Sequence, residues 1–375
     1  MHRIYLDYNA TTPIDPLVLE LMTKLMQDTF GNPSSLHREG AQASLRLNEA
    51  RESMARCLGC DPRELVFTSG GTEAINLALK GVLKTTPGHL ITTAVEHQAV
   101  LQSAKWLETR GVAVTHLGVS ALGELDLGAL EQAFRPETRL ISVMMANNEI
   151  GNLYPIEAIG KIARAHGVLF HVDGVQALGK IPICLKDLPV DLMSFSGHKI
   201  YGPKGIGLLY VRRGVKLERL VDGGSQEMEQ RGGTENLAGI AGMAKALELC
   251  MAHLPEEIAR LTQLRDTLEQ GLRAIPETYV HGLPQQRIAN TLNVSFTGIT
   301  KETILLALDR EGIAVSSGSA CASGAIEPSH VLLAMGLPRG EAMGAVRFSL
   351  GRWTTGEEIG VAIERVTKVV NQLRM

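Results

Sequence analysis

The sequence predicts an α/β protein in which a mostly parallel sheet is covered by helices. The first observation is that short apolar segments alternate with amphipathic segments of helical length along much of the chain. The second is composition, since 45% of the residues are hydrophobic but only 4% are aromatic, as expected of an aliphatic core. Such alternation is typical of strand–helix–strand units, whose parallel strands are buried on both faces.

Periodicity identifies the elements of the first part of the chain, and capping residues mark some of their ends. Glycines and Thr72 open one helix, Asp126 can cap another, and Gly111 can end a third. The predicted helices cover residues 16–26, 39–58, 70–83, 97–111, 126–134 and 156–167. The predicted strands cover residues 64–69, 89–93, 112–117, 139–146, 168–173, 190–196 and 205–211.

The pattern changes near Thr234, where long helices replace the regular alternation. From there the predicted helices cover residues 234–254, 255–275, 301–312, 328–336 and 356–373, and the predicted strands cover 291–296, 313–319 and 345–350. A chain of 375 residues is long for one compact core. We therefore expect a large domain of residues 15–255 and a smaller α/β domain of residues 1–14 and 256–375, packed closely together.

Charge and hydropathy argue against several classes of protein. A formal net charge of −3 indicates no basic surface for nucleic acid. The apolar runs are interrupted well before the roughly 18 residues that a membrane span needs. The N-terminal residues lack the apolar segment of a signal peptide. We expect a cytoplasmic protein without nucleic-acid or membrane partners.

The five cysteines are an odd number, which argues against a disulfide framework. Cys57 and Cys60 form a C-x-x-C that fits a redox pair, half of a zinc site, or two small half-buried side chains. No second C-x-x-C completes a zinc set, so we predict no metal site. Cys321 differs, because the small residues of "VSSGSACASGA" predict a mobile loop with an exposed, reactive thiol, the alternative being a cysteine that is merely tolerated in a loop.

Polar residues follow five of the predicted strands. Ligands of open α/β sheets bind beyond the carboxyl ends of the strands, so these residues are expected to share one edge. Each has a structural alternative as a cap, a turn or a buried polar group. The strand ends supply, in chain order, a glycine-rich turn at residues 68–73, then His97, Asn147 to Glu149, Asp173 with Gln176, and Ser196 with His198 and Lys199.

This combination fits pyridoxal phosphate. A glycine-rich helix start binds a phosphate, a lysine forms a Schiff base, a carboxylate keeps the pyridine nitrogen protonated, and His97 can stack on the ring. Lys199 fits the Schiff-base role better than Lys204, because Lys199 follows a strand end and Lys204 lies in the turn "GPKG". Arg347 lies in the apolar segment "AVRFSL", where a buried guanidinium needs an anion, so we expect it to bind a substrate carboxylate.

Ten segments of the chain resemble the pyridoxal-phosphate-dependent cysteine desulfurases of the nitrogen-fixation and iron–sulfur-assembly type. In order they are "YLDYNATTP", "FGNPSSLH", "VFTSGGTEAINLA", "EHQAVL", "ANNEIG", "HVDGVQALGK", "DLMSFSGHKIYGPKGIGLLYVR", "RGGTEN", "SSGSACASG" and "RFSLGRWTT". The resemblance implies a fold-type-I enzyme of the class V aminotransferase family that forms a homodimer, with active sites near the subunit interface. It also implies conversion of L-cysteine to L-alanine and a protein persulfide.

The resemblance also implies a role for each motif residue. Lys199 would anchor the cofactor covalently, His97 would stack on its ring and assist proton transfer, and Cys321 would take the sulfur. Cys321 would then be a candidate ligand of an iron–sulfur cluster during transfer. Asp173 would contact the ring nitrogen and Gln176 the phenolic oxygen. The phosphate would be bound by Gly71, Thr72, Ser196, His198 and the partner's Thr234. Asn148 and Arg347 would bind the substrate carboxylate, and Asn148 would also line the cofactor.

Other interpretations stay open. An aminotransferase or a selenocysteine lyase would use the same cofactor, although Cys321 in its loop counts against an aminotransferase. A non-catalytic sulfur-relay protein would instead use Cys57 and Cys60. We expect a sulfur-acceptor or scaffold protein as partner. The acceptor is open between nitrogenase, general iron–sulfur assembly and tRNA thiolation, and "RGGTENLAGI" is more similar to the nitrogen-fixation branch.

Overall fold

A seven-stranded sheet lies at the centre of the fold, with smaller sheets formed by later parts of the chain. The computed structural model describes residues 3–85, 88–318 and 328–375. The strands in these ranges are β1 (Ile4–Tyr5), β2 (Leu65–Thr68), β3 (His89–Thr93), β4 (Ala113–Leu117), β5 (Thr138–Met144), β6 (Leu169–Asp173), β7 (Leu192–Ser196), β8 (Gly207–Val211), β9 (Thr278–His281), β10 (Thr291–Phe296), β11 (Ile313–Ala314) and β12 (Ala345–Ser349). The α-helices in these ranges are α1 (Pro16–Asp28), α2 (Arg38–Leu58), α3 (Gly71–Thr85), α4 (Gln98–Glu108), α5 (Leu127–Gln132), α6 (Ile156–Ala165), α7 (Leu237–Ala252), α8 (Leu254–Arg273), α9 (Lys301–Arg310), α10 (His330–Ala334), α11 (Arg339–Met343) and α12 (Gly356–Leu373).

The central sheet has the strand order β2-β8-β7-β6-β5-β3-β4. Strand β8 runs antiparallel to both of its neighbours, and the remaining pairs are parallel. Strand β2 therefore runs in the same direction as β7, so that five strand ends with polar residues reach one edge. The α/β fold with a mostly parallel sheet, predicted from the alternating pattern, is confirmed. Because every residue of β3, β7 and β8 is buried, these strands have apolar residues on both faces.

Helices α1, α2 and α7 form a layer against this sheet. Helix α2 buries Ala43, Leu47, Ala50 and Met54, whose spacing places them on one face of the helix. Helix α7 is buried along most of its length because α1 and α2 both pack against it. Its near-continuous apolar sequence therefore reflects burial on several sides.

Several predicted helix boundaries differ from those in the structure. Asp126 does cap α5, since its Oδ1 accepts a hydrogen bond from Gly128 N at 2.8 Å. Helix α4 ends at Glu108 rather than at Gly111, which instead has a φ of +85° in the turn that follows. Helix α7 begins at Leu237 because the Asn236 side chain caps it, so Thr234 lies before the helix and not in it.

The later part of the chain forms the sheet β12-β10-β9, which is antiparallel, and a short parallel pair of β1 with β11. A buried apolar cluster joins Ile4 and Leu6 to side chains between residues 261 and 370. The sequence pattern missed β1, β9 and α11, and it extended β11 to residue 319. Two-residue strands such as β1 have no periodicity of their own and form only because a distant partner is present. The division into residues 15–255 and residues 1–14 with 256–375 stays a prediction.

Taken singly, the described helices do not have the length and composition of a membrane span. No helix among them is long and apolar enough to cross a bilayer alone. Helices α7 and α8, which meet at a bend of 73°, reach that length and composition only as a pair.

Candidate active site

The carboxyl ends of the central strands open into a cavity of about 620 Å³. Ten of the predicted site residues line this cavity: Gly71, Thr72, His97, Asn148, Asp173, Gln176, Ser196, His198, Lys199 and Arg347. Thr234 is exposed and does not line it. Cys321 lies outside the described residues. The N-terminal segment contributes Asn9 and Ala10, which the sequence analysis did not single out.

The start of helix α3 forms the glycine-rich side of the cavity. The side chain of Glu73 turns away from the cavity, because it accepts hydrogen bonds from Ser69 N at 2.7 Å and from Arg231 Nε at 2.9 Å. A Cβ atom on Gly71 would lie 2.8 Å from Val175 Cγ2, so only glycine allows this close approach. The N–H groups at the start of this 15-residue helix are therefore available to an anion.

Ser196 and His198 lie opposite this helix start. Strand β7 ends at Ser196, and Gly197–Lys199 forms a single 3₁₀ turn. His198 Nδ1 lies 3.1 Å from Thr11 Oγ1. Burial lowers the pKa of His198 to about 4, and the charges of Lys199 and Lys204 act in the same direction. The imidazole is therefore neutral at neutral pH, in which form it can donate one hydrogen bond to a phosphate.

Lys199 is held at the cavity wall by the N-terminal segment. Its Nζ donates hydrogen bonds to the main-chain oxygens of Asn9 and of Ala10, the latter at 2.9 Å. Lys204 is exposed in the turn before β8 and borders a separate depression of about 400 Å³ that also contains Gly71 and Thr72. The structure thus separates the two lysines as the sequence analysis expected.

Asp173 ends strand β6 and faces the cavity from the centre of the sheet. Its Oδ1 accepts a hydrogen bond from Val175 N at 2.9 Å. Burial raises the pKa of Asp173 to about 6, against the lowering effects of that hydrogen bond and of Lys199. A buried carboxylate with a raised pKa is suited to a cationic N–H partner, because the partner offsets the desolvation.

His97 caps helix α4 as well as lining the cavity. Its Nδ1 accepts a hydrogen bond from Ala99 N at 3.1 Å, so the neutral ring carries its proton on Nε2. Burial, together with the charges of the neighbouring Lys199 and His330, lowers the pKa of His97 to about 4. The ring orientation is therefore set by the helix start, and the ring is neutral.

Arg347 has an anionic partner within the chain that its sequence context did not indicate. It lies in the middle of β12, with a side chain that is only 2% exposed, and its Nη2 donates to Asp7 Oδ1 at 2.8 Å. Its Nη1 donates to the main-chain oxygen of Asn148 at 2.9 Å. Asp7 therefore already supplies an anion to this guanidinium, and the binding of a substrate carboxylate by Arg347 stays a prediction. Its Nε is buried and has no hydrogen-bond partner among the described residues.

Three polar residues were not singled out from the sequence: Asn9, which lines the cavity, and Lys180 and Glu96, which lie next to residues that line it. Asn9 bonds to Gln176 and Lys199 through its main-chain oxygen and to Lys180 through its side chain. Glu96 is fully buried next to His97, and burial raises its pKa to about 8. Asn9 and Lys180 belong to the segments "YLDYNATTP" and "HVDGVQALGK", but nothing in their spacing predicts that these segments meet.

The cysteines in the described part of the chain are free thiols without the features of a nucleophile. Burial raises the pKa of Cys57, and it raises the pKa of Cys60 to about 12 and that of Cys250 to about 11. A thiol with a raised pKa holds little reactive thiolate at neutral pH. Within the described ranges, His, Cys, Asp and Glu side chains form no group of three or more suited to a metal ion. A redox role for Cys57 and Cys60 stays untested.

Comparison with known proteins places this geometry in a family. The model of the family described as aminotransferase class-V matches residues 4–361. A cysteine desulfurase of Trichormus azollae is 50% identical over 377 residues, which cover 100% of this chain and 94% of that protein.

Two solved structures are similar over nearly the whole chain. A NifS-like protein superposes with a TM-score of 0.93 at 39% identity, covering 99% of this chain and 100% of that one. A structure described as SspA in complex with cysteine has a TM-score of 0.84 at 37% identity, covering 94% of this chain and 100% of that one. The fold, the cavity and the matched sequence agree, and the chain belongs to the aminotransferase class-V family.

Proposed function

We propose that the protein is a pyridoxal-phosphate-dependent cysteine desulfurase. The observation that carries this proposal is the convergence of Lys199, Asp173 and the start of α3 on one cavity. In the reaction, the C–S bond of L-cysteine breaks and L-alanine is released. The sulfur forms an S–S bond with Cys321, giving a persulfide. L-cysteine and one thiol are thereby converted to L-alanine and one persulfide, with no atom gained or lost.

The residues of the cavity fit the cofactor. The helix start at Gly71 and Thr72, with Ser196 and neutral His198, would hold the phosphate. Lys199 would form the covalent bond, and Asp173 would pair with the ring nitrogen. When bound, pyridoxal phosphate supplies an electron sink for negative charge next to the amino group. Burial of Asp173 supports this pairing, since a cationic N–H would stabilise its ionised form.

His97, Gln176 and the substrate side of the cavity complete the proposed site. His97 would stack on the ring, and its Nε2 would carry the proton that moves to or from the substrate. Gln176 would donate to the phenolic oxygen. Asn148 and Arg347, which both line the cavity, would bind the substrate carboxylate. The SspA structure with cysteine, from a chain 37% identical to this one, supports cysteine as the substrate.

Further parts of the proposal concern the second subunit and the acceptor. Thr234 is exposed, which fits a role towards the phosphate of a partner subunit in a homodimer. The persulfide on Cys321 would pass to a sulfur-acceptor or scaffold protein, for iron–sulfur cluster or other sulfur-cofactor synthesis. We propose a cytoplasmic location for this reaction.

The test uses the purified protein with pyridoxal phosphate. We expect a visible absorption band from the lysine-bound cofactor, and equal amounts of L-alanine and sulfide from L-cysteine in the presence of a thiol reductant. Formation of pyruvate or of a keto acid instead of L-alanine would identify another class-V reaction. A protein that binds no pyridoxal phosphate would contradict the proposal.

A further inference from the structure

Lys180 forms a closed ring of hydrogen bonds with Gln176 and Asn9, two residues that line the cavity. Lys180 Nζ donates to Gln176 Oε1 at 2.5 Å and to Asn9 Oδ1 at 3.1 Å. Gln176 Nε2 donates to the main-chain oxygen of Asn9 at 3.0 Å. The carboxamide of Gln176 is therefore held at both its oxygen and its nitrogen.

This ring determines which way the carboxamide of Gln176 faces. A carboxamide has two N–H donors on its nitrogen and an acceptor on its oxygen, and a half-turn exchanges them. In the exchanged orientation the amide nitrogen would face the donor Lys180, and the amide oxygen would face the acceptor oxygen of Asn9. Because both contacts would be unfavourable, the second N–H of Gln176 remains directed away from the ring, on a side chain that lines the cavity.

Asn9 itself is fixed by strands of the smaller sheet. Its main-chain N–H donates to Ser349 Oγ at 2.9 Å, and its Nδ2 donates to Thr291 Oγ1 at 2.8 Å. The oxygen of Asn9 that accepts from Gln176 also accepts from Lys199. The main-chain oxygen of Asn9 therefore accepts hydrogen bonds from both the carboxamide of Gln176 and the amine of Lys199.

The placement of Lys180 is not explained by a contribution to the stability of the fold. Its hydrogen-bond partners in the described chain are two amide oxygens rather than a carboxylate. Burial lowers the pKa of Lys180 well below its usual value, and the charges of Lys199 and Arg347 lower it further, against a raising effect of Cys250. A half-buried amine held by amide oxygens alone adds less to stability than an ion pair would, and its hydrogen bonds to Gln176 and Asn9 point to a role in the site.

We propose that Lys180 is a positioning residue that keeps a donor of Gln176 facing the cofactor. This inference rests on the proposed pyridoxal phosphate function, in which Gln176 bonds the phenolic oxygen. Lys180 itself acts through Gln176 and makes no contact of its own with the reacting atoms.

The test is a double-mutant cycle on the equilibrium affinity for pyridoxal phosphate. Lys180→Met and Gln176→Ala are each expected to weaken binding about tenfold, the effect of one hydrogen bond to a charged acceptor. The double variant is expected to match Gln176→Ala, because Lys180 has nothing left to orient. Lys161→Met, which removes a 70% exposed lysine, is the control and should bind as the wild type does.

The outcomes separate this inference from the function on which it rests. Wild-type protein that binds no pyridoxal phosphate contradicts the proposed function. If the wild type binds pyridoxal phosphate, two results overturn the role of Lys180. One is an unchanged affinity in Lys180→Met, and the other is a loss of affinity in the double variant equal to the sum of the two single losses. If Lys180→Met does not fold, Lys180→Ala, which leaves room for water, replaces it in the same cycle with the same expected outcomes.

Discussion

Arg347 Nη2 lies 2.8 Å from Asp7 Oδ1, so the guanidinium proposed to bind the substrate is already paired with a carboxylate of the protein. The Arg347 side chain is 2% exposed and that of Asp7 is 20% exposed. A partly buried pair of this kind fixes the orientation of the guanidinium before substrate arrives. Its Nη2 keeps a second N–H besides the one donated to Asp7, and its buried Nε has no hydrogen-bond partner among the described residues.

Removal of Asp7 should destabilise the protein. We expect Asp7→Asn to lower the free energy of unfolding by about 2 kcal/mol, because a buried guanidinium loses its counter-charge. Urea unfolding of the cofactor-free protein measures this. Asp309→Asn, which breaks the exposed pair with Arg3, is the matched control and should change stability by less than about 1 kcal/mol. Equal effects of the two substitutions would show that the Arg347 pair has no special role.

Lys199 and Lys204 should differ in their effect on the cofactor. We expect Lys199→Ala to abolish the visible band of covalently bound cofactor and to lower desulfurase activity on the order of 10³-fold or more. Lys204→Ala should keep the band, since Lys204 is exposed in the turn before β8. Absorption spectra of both variants with added pyridoxal phosphate measure this. A normal band in Lys199→Ala would mean that another amine holds the cofactor.

His97 should make the cofactor-free protein sensitive to acid. The unfolded chain protonates this imidazole below its ordinary pKa of about 6.5, whereas burial lowers the pKa in the folded protein to about 4. Between these values the unfolded state binds more protons, so stability falls as the pH is lowered. The loss from this group between about pH 7 and about pH 5 is about 2 kcal/mol.

The substitution His97→Asn tests this pH dependence while preserving the helix cap, because an asparagine oxygen can accept from Ala99 N. We expect the variant to lose about 2 kcal/mol less stability than the wild type between about pH 7 and about pH 5. Asp173, whose pKa is raised, acts in the opposite direction but equally in both proteins. The control is His116→Asn, at an exposed position on β4, for which the free energy of unfolding should change with pH as it does in the wild type. The prediction would be contradicted if the free energy of unfolding of His97→Asn fell with pH as steeply as that of the wild type.

Cys321 should be required for sulfur transfer but not for cofactor binding. We expect Cys321→Ala to keep the visible band and to release no sulfide from L-cysteine in the presence of a thiol reductant. Cys184→Ser, at a half-buried position away from the cavity, should retain wild-type activity. Full activity of Cys321→Ala would move the nucleophile elsewhere, and Cys57 and Cys60 would be substituted next.

The local sequence was sufficient to predict the polar ends of the central strands. Asp173, Ser196 and Lys199 follow buried apolar runs, and parallel strands have their carboxyl ends at one edge of a sheet, so their meeting follows from fold class alone. Asp126 was identified as a cap for a similar reason, since capping depends on neighbouring residues.

The tertiary structure decided which distant segments complete the cavity. Asn9 reaches Lys180 and Lys199 only because β1 pairs with β11, more than 300 residues later in the chain. Asp7 meets Arg347 for the same reason, so the guanidinium has an anionic partner within the chain.

The sequence by itself therefore determined the α/β sheet and the kinds of chemical group at its edge, because alternation and capping are local properties. Only the tertiary structure decided the ionic partner of Arg347 and the hydrogen-bond ring around Gln176. Both depend on contacts between segments far apart in the chain, and such contacts are set by packing that no local pattern contains.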